Sequence, residues 1–527
     1  MKILKILDKI PPISRNTFIA IYAFFTLIIY NKAFVGKILM ANDIVNVSDV
    51  FFIATYFIAI FVLSFLMMSI LMIHRAIKFI AILLVMLSSS VAYFINAYNT
   101  PFDRDMIVNI FKTDVQEASD LFSIKLMLYI IFLGILPAFV LFKVKIKKDR
   151  SLIIGFLKNF GISIALLAFA IILVVAQYRK IALFTRANDE IFNYLVPSNY
   201  IISSVKAVKR AIRKQKPLQQ IALDAKFDKT QNTLLIIIVG ETARVANFSV
   251  YDYPRKTNPL LEKEKIYTLS NTTSCGTSTA VSLPCMFSHL SRSNFLSNNE
   301  NYEFFPAFMQ RLGVNVLYKD NNFGGCKGTC DGVESSKTQV LDNPKYCKDG
   351  QCIDGILLDG LEGYLGKHKN APTMVVLHQN GSHGPRYNKR YSAEFEKFTP
   401  VCDNPNVAEC SQEEIINAYD NTILYTDYII HSAITLAKAQ KRPAYVIYIS
   451  DHGESLGENG MYLHGFPYKV APDFQKQIPF ILWSNQNVKI HGEAQHSHQN
   501  LFHTVLGIFN VETELYDAKL DVMNDKI

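Results

Sequence analysis

Asp451 and His452 stand side by side at the end of a short β-branched and aromatic run, Tyr445 to Ile449, bounded by Pro443 and Ser450. Such a run reads as a buried strand, and in an open α/β sheet ligands bind at the carboxyl ends of the strands. A carboxylate and an imidazole at that edge are candidate metal ligands. Two further apolar runs end in comparable chemistry. Thr233 to Val239 leads into Gly240-Glu241-Thr242-Ala243-Arg244, and Thr373 to Leu377 leads into His378-Gln379-Asn380-Gly381-Ser382-His383-Gly384. His464 follows Asp451 after a glycine-rich loop. Three strands that each deliver a carboxylate or an imidazole describe a metal site assembled on one sheet edge.

A nucleophile is available nearby in the chain. Asn271 to Phe287 is rich in small hydroxyl residues and leads into a predicted helix, which sets a side-chain oxygen near backbone amides that favour developing phosphate charge. A hydroxyl is a weak nucleophile until a metal or a base activates it. With a metal supplied by Glu241, Asp451 and His452, the residues Ser274, Thr277, Ser278 and Thr279 all qualify on chemistry alone. Cys275 is a rival, but its neighbour Cys285 favours a disulfide.

The elements that must position these groups lie from about Gln231 onward. Strands near Leu234, Val314, Met374, Val446 and Phe480 alternate with helical stretches such as Gln412 to Lys438, the pattern of an α/β domain with a mainly parallel central sheet. The charged tail after Glu512 is expected to be loosely ordered. Half of the 527 residues are hydrophobic, an excess concentrated before residue 178 in five apolar runs of membrane-spanning length: Phe18 to Val35, Val50 to Ile73, Phe79 to Ala97, Ile124 to Phe142 and Ile153 to Ala176. The expected division is therefore a five-helix transmembrane domain over 1–177, a linker over 178–230 and a soluble catalytic domain over 231–527.

Lysine and arginine placement orients the spans. Lys2, Lys5, Lys9 and Arg15 precede the first, Arg75 and Lys78 lie between the second and third, and Lys143, Lys145, Lys147, Lys148 and Arg150 fill the loop between the fourth and fifth. Those segments belong in the cytoplasm, which puts the acidic loop with Asp103, Asp105, Asp114, Glu117 and Asp120, and everything after the fifth span, outside. All eight cysteines, Cys275, Cys285, Cys326, Cys330, Cys347, Cys352, Cys402 and Cys410, fall in that outer part as four sequence-local couples. None has C-x-x-C spacing, so disulfides in an oxidising compartment are expected rather than zinc ribbons.

The net charge of +9 sits largely in the cytoplasmic loops and in Tyr200 to Pro217. There Ile201, Ile202, Val205, Val208 and Ile212 recur at helical spacing among Lys206, Lys209, Arg210, Arg213 and Lys214. That is a basic amphipathic helix suited to a lipid surface. With no nucleic-acid module and no phosphate-binding glycine loop, membrane phospholipid is the expected anionic partner. In the outer loop, Asn109, Thr113 and Glu117 recur every four residues, so that a helix would gather them on one face at the membrane boundary.

Four ordered motifs, GETAR, CGTSTAVSLPCMFS, HQNGSHGP and SDHGESLGENGMYLHG, together with five spans, resemble the phosphoethanolamine transferases of Gram-negative bacteria. That family contains lipid A modifying and mobile colistin-resistance enzymes. The resemblance implies an alkaline phosphatase and sulfatase fold, with Thr279 as the nucleophile that carries phosphoethanolamine. It implies zinc held by Glu241, Thr279, Asp451 and His452. His383 and His464 would bind the phosphoryl group or a second zinc, or act as acid and base, with His378 as a companion. Asn109, Thr113 and Glu117, with Asn322 and Lys327, match positions that hold the donor head group. Implied partners are a phosphatidylethanolamine donor, an envelope acceptor such as lipid A, and the membrane, for a monomer of the bacterial inner membrane with its catalytic domain in the periplasm. Neither cysteine opens the C-x-P-x-R run of a sulfatase. A glycerophosphate-type transferase of the same superfamily and a non-catalytic envelope binding protein remain the alternatives.

Overall fold

The computed structural model describes residues 11–42, 46–72, 76–113, 115–147, 151–213, 216–338, 343–348, 351–490 and 495–523. Lys2, Lys5, Lys9, Arg75, Asp114, Lys148, Arg150 and Lys214 lie outside the described residues, as do the side chains of Glu117, Arg210 and Arg213. The chain divides into two compact units, one of residues 1–104 and 123–205, the other of residues 105–122 and 206–527.

The first unit is helical. α1 (Arg15–Ile29) and α2 (Lys32–Met40) meet at a bend of 65°. α3 (Val47–Leu71) and α4 (Ile77–Tyr98) follow, and the two short helices next in the chain, α5 (Arg104–Lys112) and α6 (Val115–Asp120), belong from Asp105 on to the second unit. α7 (Ile124–Lys143) and α8 (Leu152–Ala176) complete the series. Among the described residues, four helices are long and apolar enough to cross a membrane, and the bent pair, counted as one span, makes a fifth. The bend has a local cause. Buried Asn31 leaves the helix and its carboxamide donates to Thr26 O (2.9 Å) and Val196 O (2.8 Å) while accepting from Val196 N (2.7 Å). Backbone groups that a straight helix would satisfy thus find a partner inside the protein, as an apolar surrounding requires. α3 begins on a capping box between Asn46 and Asp49, which satisfies two of its free amides. Phe24, Ile70, Phe79, Phe132 and Ile172 are exposed, as lipid-facing side chains are.

The second unit carries a seven-stranded sheet. Its strands are β1 (Leu234–Gly240), β2 (Ile266–Thr268), β3 (Asn315–Asp320), β4 (Glu334–Lys337), β5 (Thr373–His378), β6 (Ala444–Ser450) and β7 (Phe480–Ser484). Across the sheet the order is β2, β7, β6, β1, β5, β3, β4. β7 runs antiparallel to both neighbours, and all other pairs are parallel. Every residue of β1 is buried, because a central parallel strand is covered on both faces. Alternate residues Leu235, Ile237 and Val239 join one apolar cluster with Leu283, Leu501 and Val505, from α10 (Thr279–Met286) and α12 (Gln499–Ile508). α11 (Gln412–Ala439) packs on β1 and β6 and opens on a capping box of Ser411 and Glu414. Strand alternation thus divides each strand between two helical layers while its end residues stay free for chemistry.

Cys275–Cys285, Cys326–Cys330, Cys347–Cys352 and Cys402–Cys410 are disulfide-bonded, the four sequence-local couples. The expectation of a loose tail after Glu512 is corrected for the described residues, which reach 523. Thr513 Oγ1 donates to Asp224, Asp517 N donates to His503 Nδ1 (3.0 Å) and Tyr516 Oη donates to Asp521 (2.7 Å). Polar side chains that read as solvated in sequence find specific partners far along the chain.

Candidate active site

Register delivers the site. Ser450 of β6 pairs with Gly240 of β1, and Asp451 N donates to Gly240 O (2.9 Å). The residues that follow, Glu241 and Asp451 with His452, therefore leave the sheet side by side. Gly381 explains how β5 comes in equally close. Its φ is +51° and an added Cβ would lie 2.7 Å from Glu241 O, a conformation and an approach open to glycine.

Glu241, Asp451 and His452 each offer a ligand atom within 4.8 Å of the others, and all three are fully buried. Thr279 Oγ1 lies 3.1 and 3.0 Å from the two oxygens of Glu241, to which it donates, and 3.4 Å from His452 Nε2. His452 Nδ1 faces the carbonyl of Gly453 at 2.9 Å. A carbonyl only accepts, so Nδ1 bears the proton and Nε2 presents its lone pair to the cluster. Burial pushes the imidazole's pKa down to about 4, keeping it neutral as a ligand must be. Asp451 Oδ1 accepts from the amides of His452 (2.7 Å) and Thr242 (3.2 Å), whereas buried Oδ2 accepts no hydrogen bond. Two carboxylates, one imidazole nitrogen and a hydroxyl around a buried, open-ended carboxylate oxygen are a donor set that fits zinc. Two buried acids also demand a compensating cation.

The loop that carries Thr279 is pinned by neighbouring segments. Thr279 is the first residue of α10, after Ser278 in an extended conformation, so its hydroxyl sits at the amide-rich helix end. Ser282 Oγ donates to Asp451 O, and Arg292 Nε to Cys275 O (2.8 Å). Of the other candidate hydroxyls, Ser274 Oγ donates to Gly276 O (2.6 Å) and Thr277 Oγ1 to Phe466 O (2.5 Å). Those two are occupied in holding the loop; of Ser278 and Thr279, Thr279 is the one whose hydroxyl meets Glu241 and His452.

The remaining expected residues separate into groups. His383 and His464 lie together, ring centroids 5.2 Å apart, and His464 is 4.5 Å from His452. His464 Nδ1 is 3.4 Å from buried Glu454. His378 is buried at the end of β5, with Nδ1 2.9 Å from Asp320 and its ring edge-on to Tyr318. Asn322 donates to Glu241 Oε2 (2.7 Å) and Gln379 O (3.1 Å), so its carboxamide orients the Glu241 carboxylate. Lys327 is half-buried beside the Cys326–Cys330 disulfide. Asn109 lies in α5 and Thr113 just past its end, with Thr113 Oγ1 on Asn109 O (3.0 Å). The single helix expected through Glu117 is two, α5 and α6.

Several contributors escaped the sequence reading. Asp354 accepts from the amides of Asn380 (2.8 Å) and Gly381 (2.9 Å) and from Asn321 Nδ2 (2.7 Å), fixing the loop that brings His383. Burial raises its pKa while those donors oppose the rise. His498 is fully buried, with Nε2 donating to Ser450 O (2.8 Å) and Nδ1 accepting from Cys275 N (3.1 Å). It ties the strand end that bears Asp451 to the loop before Thr279. The pair of histidines in His496-Ser497-His498 was the available signal for it; Asp354 carried none.

The sheet order and the strand-end acid cluster define a sulfatase-type α/β domain, and residues 233–511 match the sulfatase family model. Residues 60–212 match the model for phosphoethanolamine transferase EptA/EptB. The chain is 38% identical over 99% of its length to phosphoethanolamine transferase EptA of Escherichia coli K12, covering 98% of that protein. It is 35% identical to phosphatidylethanolamine transferase Mcr-1 of Escherichia coli over 83% of this chain and 84% of that one. The integral membrane lipooligosaccharide phosphoethanolamine transferase A of Neisseria meningitidis superposes with a TM-score of 0.92 at 32% identity, covering 98% of this chain and 99% of that one. The chain belongs to the phosphoethanolamine transferase family.

Proposed function

We propose that this chain moves phosphoethanolamine from phosphatidylethanolamine to lipid A, or to a related envelope acceptor, through an ester formed on Thr279. The observation that carries the proposal is the Thr279 hydroxyl, held at 3.0 and 3.1 Å from Glu241 and 3.4 Å from His452 at the head of α10. Zinc bound by Glu241, Asp451, His452 and Thr279 would supply positive charge that makes the hydroxyl a better nucleophile and favours charge building on the phosphoryl oxygens. Thr279 Oγ1 attacks the donor's phosphorus as its proton passes to a base. The bond from phosphorus to the diacylglycerol oxygen breaks, and that oxygen takes a proton from His383 or His464. The acceptor oxygen then attacks the same phosphorus and gives its proton to the imidazole that protonated the diacylglycerol oxygen, while the bond from phosphorus to Thr279 Oγ1 breaks and that oxygen recovers its proton from the base. Amides at the start of α10 face the phosphoryl oxygens in both steps.

The membrane half fits this chemistry because donor and acceptor are both lipids. The proposed division is 1–177 in the inner membrane, 178–230 as linker and 231–527 as the catalytic domain in the periplasm. The helix α9 (Ser198–Arg213) exposes Ile202, Val205, Val208 and Ile212, which suits a lipid surface. Asn109, Thr113 and Glu117, with Lys327, are proposed to meet the donor head group. The enzyme is proposed to work as a monomer.

The test is mass spectrometry of lipid A from cells with the wild-type chain and with Thr279→Ala. Phosphoethanolamine-bearing lipid A is expected from the first and none from the second. Equal modification by both would contradict the proposal, and glycerophosphate on the acceptor would identify the alternative transferase.

A further inference from the structure

Asp120 closes α6 on the stretch between α4 and α7, yet residues 105–122 belong to the same compact unit as the sheet. Its carboxylate is buried, with one oxygen 2.7 Å from Arg390 Nη2 and the other 3.7 Å from Arg386 Nε. Arg390 is itself buried, and its Nε donates to the backbone carbonyl of His383 (2.9 Å). Its guanidinium lies 5.0 Å from the centre of the Phe323 ring, next to the Asn322 that holds Glu241. One planar cation therefore joins the stretch between the apolar helices, the segment bearing His383, and the loop behind a metal ligand. A buried guanidinium needs its anion, because removing one partner leaves an uncompensated charge in a poorly solvated place. The rigid fork of arginine also gives it two fixed directions of donation, one for each partner.

We propose that Asp120 is a positioning residue for the transfer reaction. Through Arg390 it sets the backbone of His383 and registers the stretch carrying Asn109 and Thr113 against that histidine. This rests on the transfer proposed above, since it gives His383 its role. Asp120 touches no reacting atom in this scheme. Arg386 Nε, at 3.7 Å, is beyond hydrogen-bond reach, so the effect of Asp120 runs through Arg390, and the loss of either is one event rather than two.

The experiment is a double-mutant cycle in the full-length chain with Asp120→Asn, Arg390→Gln and the pair, read by transfer kinetics and by hydrogen exchange of residues 381–392. Each single change is expected to lower kcat by about tenfold or more, with KM for the donor little altered, and to raise exchange in that segment. The double variant is expected to be no worse than Arg390→Gln alone, since the two act as one unit. Arg390→Lys keeps the charge without the fork and is expected to lower kcat as well. Exchange in β1 and β6 should stay at the wild-type level, which separates the effect from general unfolding. Unchanged exchange at 381–392 in Asp120→Asn, or kinetic losses that add in the double variant with a raised KM, would overturn the proposal; the second result would make Asp120 a direct contact for the donor. A wild-type chain that transfers nothing would overturn the proposed function itself, a separate outcome read in the same assay.

Discussion

Asn322 shows what a single side chain can conceal. The family resemblance assigns it to the donor head group, but its carboxamide faces Glu241 Oε2 at 2.7 Å. Outer partners that orient a ligand commonly matter 10- to 100-fold in metal affinity. Asn322→Ala is accordingly expected to weaken zinc binding by roughly 10- to 100-fold, read by titration with a competing chelator; unchanged affinity with a raised KM for the donor would return it to the head group. Asp451→Asn removes the charge whose Oδ2 accepts no hydrogen bond, and it is expected to abolish stoichiometric zinc and to cost at least about 100-fold in activity. Metal content of the purified variant checks this. Glu241, Asp451 and His452 were legible as one cluster because strand-end position and residue type together point to it, whereas Thr279 was set apart from its neighbouring hydroxyls only by the family resemblance. Asp354 and His498 were not legible, because a buried acid on backbone amides and a histidine on a backbone carbonyl have no pattern until distant segments meet.

At the scale of elements, the site depends on how closely three strand ends approach. A methyl group on Gly381 would meet Glu241 O at 2.7 Å and Glu241 N at 2.9 Å, in a left-handed conformation. Gly381→Ala is expected to destabilise the second unit by about 1–3 kcal/mol and to reduce activity further by displacing Glu241. The sole tryptophan, Trp483, is buried in β7 and reports that unfolding by fluorescence. The same signal tests His498, whose pKa burial pushes from 6.5 down to about 4. In the range between those values the unfolded chain binds the extra proton, so stability rises with pH. The contribution is complete above pH 6.5 and is lost as pH falls from there toward 4, by roughly 3 kcal/mol at most. His498→Gln is expected to flatten that dependence, and an unaltered slope would contradict it. The strands and the long α11 were readable from runs and caps. The break between α5 and α6 was not, because four-residue polar spacing is satisfied equally by one helix or by two.

Over the whole molecule, apolar runs, basic loops and paired cysteines are three independent readings of one topology. Five hydrophobic segments match four long helices and one bent pair among the described residues, and the bend at Asn31 was invisible because its partner, Val196, lies far along the chain. All four disulfides belong to the second unit, so that unit is expected outside the cytoplasm. Protease added to spheroplasts should digest it, and full protection would reverse the topology. The proposed transfer turns on one covalent event, which intact-mass measurement of the purified enzyme incubated with phosphatidylethanolamine tests most directly. A phosphoethanolamine adduct that maps to Thr279 and is absent from Thr279→Ala is the predicted result. An enzyme that transfers the group while Thr279 stays unmodified, or an adduct that persists in the alanine variant, would contradict it.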